Sequence, residues 1–192
     1  MTINRHDSGH TWRLLWIPGL VTIVLSISAG CSGSSASTSQ NAGREIQIES
    51  GTVDLVVAQL ELTRSFARLV QLSGIASSMD ANARYTMFAP IDDAVAQYLV
   101  AKGMSIEQLE ADGALMTAFV GAHIIVGEYS GTNLLNAVGT SIDSISNQHL
   151  SIRQIDGNVA ISGVDESPAK LIAIDLQATN GLVHIIDGVL AP

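Results

Sequence analysis

Two dipeptides restrict this chain more than any other feature. Asp156-Gly157 lies inside "HLSIRQIDGNVAIS" and Asn180-Gly181 lies inside "AKLIAIDLQATNGLVHIIDGVL", each between runs in which apolar residues alternate. Asp-Gly and Asn-Gly favour the tight turn whose backbone twist matches that of two paired strands. Both stretches therefore predict antiparallel hairpins. In the second, Ile172, Ile174 and Leu176 alternate before the turn, and Val183 and Ile185 alternate after it.

The first half of the chain has a different period. In "TVDLVVAQLEL", Val53, Val56, Val57 and Leu60 stand at helical spacing behind Thr52, a residue type suited to the N-cap. "SFARLVQLSG" follows, with Phe66, Leu69, Val70 and Leu72 read as one side and Ser73-Gly74 as the stop. "YTMFAP" is a compact β-prone run ended by Pro90, and "IDDAVAQYLVAKG" predicts a helix with Asp92 at or near its start and Gly103 past its end. "SIEQLEADGALMTAFVGAHII" predicts a short helical turn, a break at Gly113, and a helix from about Ala114 to Ala122. Beyond Gly131 the pattern turns to strands. Helices first and strands later is the order of an α+β fold rather than of alternating βαβ units.

The 192-residue chain is longer than this one domain needs. Residues 1–30 open with a polar stretch carrying Arg5 and Arg13, followed by "LLWIPGLVTIVLSISAG". A short apolar run behind basic residues and ending in small ones is the layout of a secretory signal. Pro18-Gly19 interrupts it, and it falls short of the ~20 residues that a spanning helix needs. Cys31, the only cysteine, follows Ser28, Ala29 and Gly30 and precedes the Ser-rich run "SGSSASTSQNAG". Residues 31–47 then read as a flexible spacer. The arrangement around Cys31 resembles a bacterial lipobox, apart from Ser28, where that pattern prefers an aliphatic residue. The resemblance implies a lipid on Cys31 and tethering without a spanning helix.

With Cys31 at the front, no disulfide can staple the folded part. Cleavage before Cys31 would remove Arg5, Arg13 and Asp7, leaving seven of nine basic and seventeen of eighteen acidic residues, a net charge of −10. The remaining charges are scattered, without the clustered Lys and Arg that phosphate binding requires, so nucleic acid is not an expected partner.

"YTMFAPIDDAVAQYL", "AHIIVGEY" and "ATNGLVHIIDGVLAP" resemble, in this order and spacing, the first conserved box, the central histidine segment and the last conserved box of the fasciclin domain family. The resemblance spans residues 48–192. It implies a compact α/β wedge with a β-sandwich-like sheet core and several short helices packed against it. It also implies cell adhesion or contact with matrix protein or polysaccharide, with no shared catalytic centre and no cofactor. Phe88, Ala89, Pro90, Asp92, His123, Asn180, Gly181, His184 and Asp187 fall on box positions, where the expected role is structural. The family's central segment commonly has Tyr before its histidine, a pair implicated in receptor contact in animal members. Here that position is Ala122, so recognition of the integrin type is not implied.

His184 and Asp187 are close enough in sequence to suggest a general base and its orienting acid. Residues three apart on a strand face opposite sides, however, so a histidine satisfied by backbone or carboxylate is the expected reading. His123 closes a helix, where its ring can meet unpaired carbonyls; contact with a partner near Gly127–Ser130 is the other reading, and Tyr129 is the second candidate there. His123, His149 and His184 show no paired metal-ligand spacing, and neither a Gly-x-Ser-x-Gly elbow nor a phosphate-cradling glycine loop occurs in the mature chain. No metal site is expected, and the chain is read as a non-enzyme. The expected function is an exported, lipid-anchored surface module for adhesion or macromolecule binding. The alternative is a polysaccharide- or small-ligand-binding envelope protein whose cleft is lined around Tyr129 and Leu134.

Overall fold

The computed structural model describes residues 51–163, 165 and 167–190, so the leader, Cys31 and the spacer lie outside the described residues. Helix α1 (Val53–Ala58) buries Val53, Val56 and Val57. Thr52 holds the N-cap position with no side-chain hydrogen bond. Asn180 replaces it from the far end of the sequence, its Oδ1 accepting from the Val53 N–H at 2.9 Å. A short 3-10 turn (Glu61–Thr63) leads into α2 (Arg64–Ser73), which buries Phe66, Leu69 and Val70 and stops at Gly74. Leu72, expected on the same side, is exposed. Six residues on from Phe66 it stands about 120° round the helix, off the buried stripe.

A further short helix, α3 (Ile75–Ser78), precedes β1 (Tyr85–Pro90), and α4 (Asp92–Ala101) follows directly. Ile91 occupies the N-cap of α4, and Asp92 reaches across to α2, accepting the Ser65 N–H on Oδ1 at 2.7 Å. That bond satisfies a free donor in the first turn of α2. Helix α5 (Ile106–Ala111) begins with a capping box between Ser105 and Gln108. Asp112 then caps α6 (Gly113–Ala122) through the Leu115 N–H, so the break anticipated at Gly113 falls one residue earlier.

The strands that follow are β2 (Ile124–Val126), β3 (Ser141–Asp143), β4 (His149–Ile155), β5 (Asn158–Ser162), β6 (Pro168–Ala178) and β7 (Gly181–Ile186). One short helix, α7 (Gly131–Asn136), interrupts the region expected to hold strands alone; the Ser130 hydroxyl caps it by accepting from the Asn133 N–H. The sheet order is β2-β1-β7-β6-β5-β4-β3. β1 and β7 pair in parallel and all other neighbours are antiparallel. Ile125 bridges Ser144, and the Ile145 N–H donates to the Ile124 carbonyl at 2.8 Å. These contacts tie β2 to the segment after β3, bringing the sheet's two ends together into a near-barrel and hiding edges that would otherwise invite pairing.

Every residue of β1 and β7 is buried. Met87, Ala89, Val183 and Ile185 face one core, completed by Phe66, Leu69 and Phe119 of the helices. Phe88 and Ile186 face a second core inside the curled sheet, with Leu134, Leu150, Ile152 and Ile161. The β4–β5 hairpin turns as expected at Asp156 (φ 51°) and Gly157 (φ 81°). The next hairpin is displaced by one residue: Ala178 pairs with Gly181, so Thr179 and Asn180 make the turn and Gly181 begins β7. Two register shifts in β6, between Leu171 and Ala173 and between Ala173 and Leu176, overturn the simple alternation. Ile172 and Ile174 are exposed, while Ala173 and Leu176 pack on the first core.

Gly181 has φ 153°, and a Cβ added there would lie 1.8 Å from the Tyr85 carbonyl oxygen on β1. Gly181→Ala should cost upwards of ~3 kcal/mol in urea unfolding, from steric overlap with backbone. Gly157→Ala, where nothing lies within 4 Å, should cost about 1 kcal/mol through its left-handed backbone alone.

Candidate functional site

The two buried histidines are placed by opposite ends of the same architecture. His123 closes α6, with Nδ1 2.8 Å from the Phe119 carbonyl and Nε2 accepting the Leu190 N–H at 3.0 Å. A backbone N–H can only donate, so the proton sits on Nδ1 and the ring is neutral. The ring lies against Phe66 and Phe119, each 5.1 Å away between centroids. Burial holds its pKa down at about 4, opposed by the bond to Phe119. With 0% exposure, His123 has no surface to offer a partner; its two bonds tie α6 to the segment after β7.

His184 is locked in the other tautomer. Its Nδ1 accepts the Asp175 N–H at 3.1 Å, so Nε2 carries the proton and donates to the Tyr129 carbonyl at 2.8 Å. Phe88 stacks on the ring with centroids 5.6 Å apart. Burial lowers the pKa of His184, partly offset by the Tyr129 carbonyl and by the charge of Asp175. Asp187 is not its partner. The Asp187 carboxylate accepts the Lys170 N–H at 2.6 Å while its own N–H donates to the Lys170 carbonyl, which extends the β6–β7 ladder past the end of β7.

His184 belongs instead to a hub beneath the loop Gly127–Ser130, between β2 and α7. The Thr86 hydroxyl on β1 donates to the Gly127 carbonyl at 2.8 Å and accepts from the Tyr129 N–H at 2.9 Å. The Asp175 carboxylate accepts the Gly131 N–H at 2.9 Å. Asp175 sits in the second β6 irregularity with a left-handed φ of 61°, a conformation that Asp tolerates better than most residues. The hub fixes the loop from below, and the outer side carries exposed Val126 and Glu128, the latter 3.7 Å from Arg84, with Tyr129 half-buried. Leu134 is fully buried in the second core and so cannot line an open cleft with Tyr129.

Sequence reasoning overlooked Thr86 and Asp175. Each was visible as a polar residue directly flanked by apolar ones within a strand, in "YTMF" and "IAIDL", a pattern that fits a buried bond or a bulge. Among the described residues, no group of three or more His, Asp or Glu side chains could hold a metal ion. His149 lies apart on β4, paired with Asp143 of β3. No described helix is long and apolar enough to cross a membrane.

A family model for the fasciclin domain matches residues 61–192. The chain belongs to the fasciclin domain family. It is 24% identical over 141 residues to Protein sll1483 of Synechocystis, covering 73% of each chain. It is 26% identical to mouse stabilin-1 over 73% of this chain, a match that takes up 5% of stabilin-1. Among solved structures, a FAS1 domain pair from the insect cell adhesion molecule fasciclin I shares the fold, with a TM-score of 0.64 and 15% identity over 74% of this chain and 51% of that one. The fasciclin domain is thus a module also present in cell adhesion proteins. In this member, the box residues Phe88, His123, Asn180, His184 and Asp187 make the contacts that join helices, loop and sheet.

Both histidines are neutral in the fold and have lowered pKa values, so the folded chain binds fewer protons than the unfolded chain below about pH 6.5. Their contribution is full above that pH and is lost as pH falls. For His123, the window from about 6.5 down to about 4 corresponds to a loss on the order of 3 kcal/mol. Urea unfolding at a series of pH values should show stability falling through this window, with a smaller fall in a folded His123→Gln variant.

Proposed function

We propose that this protein is an exported surface module, tethered by a lipid on Cys31 and held off the membrane by residues 31–47. Its fasciclin domain binds a cell-surface or matrix macromolecule without catalysis. Three sequence features support the export and tether: the leader, the placement of the cysteine, and the Ser-rich spacer. The observation that carries the binding role is the loop Gly127–Ser130. It is anchored from beneath by Thr86, His184 and Asp175, while Val126 and Glu128 face solvent beside it. A rigid scaffold presenting a short exposed loop is the usual way such folds bind. The non-catalytic reading rests on His123 and His184, each of which has both ring nitrogens committed to backbone groups and neither of which is free to act as a base.

A Val126→Ser, Glu128→Lys double variant should keep its unfolding free energy to within ~1 kcal/mol, about 0.5 for each surface change. It should reduce attachment of cells to matrix-coated surfaces several-fold; attachment equal to that of the unaltered protein on every coating would overturn the assignment to this loop. The tether has a separate test. Radiolabelled fatty acid should enter the native chain and be lost in Cys31→Ala, and label retained by the variant would rule out Cys31 as its site.

A second reading, binding of a polysaccharide or small ligand, is favoured by an open groove of 640 Å³ along β3 and β4, lined by Gly139, Thr140, Ser141, Ser151, Ile152 and Arg153. Hydroxyls and a guanidinium suit a polar ligand. One sharp hit on a glycan array, lost in Ser151→Ala, would favour this groove over the loop.

A further inference from the structure

Among the groups that anchor this loop, His184 is the imidazole, whose Nδ1 changes from acceptor to donor when the ring gains a proton. We propose that His184 is an acid-operated latch that frees the Gly131 end of the loop when its ring is protonated, while the two cores stay folded. In the neutral ring, Nδ1 accepts the Asp175 N–H at 3.1 Å and Nε2 donates to the Tyr129 carbonyl. The imidazolium has two donors and no acceptor, so protonation sets an N–H against the Asp175 N–H.

The nearby groups decide where the new proton is accommodated. On β6 the charge acting on the ring is the Asp175 carboxylate, whose Oδ1 accepts the Gly131 N–H at 2.9 Å. β1 contributes the uncharged Phe88 ring, and β7 contributes the flanking Val183 and Ile185. The loop contributes the Tyr129 carbonyl, its one ionised neighbour, Glu128, being directed to Arg84. A carboxylate attracts an imidazolium more strongly than it does a backbone N–H. Asp175 therefore exchanges Gly131 for His184 on protonation and leaves the left-handed backbone that the present bonds hold at φ 61°. The Thr86 hydroxyl, which does not titrate over this range, keeps its bonds to the Gly127 carbonyl and the Tyr129 N–H, and the imidazolium still donates to the Tyr129 carbonyl, so the loop stays attached up to Tyr129 and only its Gly131 end is released. Burial lowers the ring's pKa and so places the transition on the acid side of a free histidine.

The consequence for adhesion rests on the binding role proposed above for this loop; the opening itself does not. The test is amide hydrogen exchange on the full chain, corrected for intrinsic rates, from about pH 7.5 to about pH 4.5. Protection at Gly131 and Asp175 should fall by up to roughly tenfold per pH unit below about pH 6.5, with Met87 and Val183 remaining protected. Protection that is independent of pH, or that falls at all four positions together, overturns the latch. His184→Asn, which can accept from Asp175 but cannot be protonated, should make the loop signal flat; a pH-dependent signal in that variant overturns the assignment to His184. Should the variant not fold, nitrogen NMR of the labelled imidazoles in the unaltered chain decides. The His184 ring and the Gly131 amide must share one midpoint, and two separate midpoints overturn the proposal. Exchange reads the loop and not attachment, so a chain that attaches at no pH sinks the binding role and leaves the latch standing.

Discussion

The parallel pairing of β1 with β7 is the constraint on which the rest of this domain depends. Two strands separated by most of the domain's length lie side by side, each buried on both faces, and divide the interior into two cores. A strand in that position has no solvent side on which to place polar groups, so any polar residue it carries must be satisfied within the protein. Thr86 and His184 are such residues, and the loop Gly127–Ser130 closes over them by supplying their partners. The site therefore follows from the sheet: the buried polar groups select the loop's position, and the loop hides the groups.

Local signals made part of this legible. Helices α2 and α4 and the Asp156-Gly157 turn follow from short-range spacing and turn chemistry, and they stand where the sequence places them. The α+β architecture could be read from helical spacing giving way to alternation, and the fasciclin family from the three boxes, and the fold and the family match agree with them. What escaped was long-range. Asn180 caps α1 across 127 residues, and Asp92 caps α2 across 27. Propensity within a window cannot show a cap supplied by a distant chain segment. The exposure of Ile172 and Ile174 escaped for a related reason: a bulge changes which face a residue takes, and alternation alone does not reveal one.

His184 and Asp187 show how a pair suggestive of chemistry becomes structural once its partners are known. Each is engaged by a different backbone group of β6, Asp175 for the ring and Lys170 for the carboxylate. The same economy appears at His123, which joins the end of α6 to Leu190. In all three cases a side chain in or just past an element pairs with a backbone N–H that has no ladder or helix bond there, the accounting that buried backbone demands.

The order of the strands also bears on how the domain folds. β1 cannot be covered on both sides, nor α1 capped by Asn180, until β7 has been made. Contacts of such sequence separation form late and slowly. The two cores therefore stay open to water until the last strand has been made. The domain closes only when its final hairpin arrives.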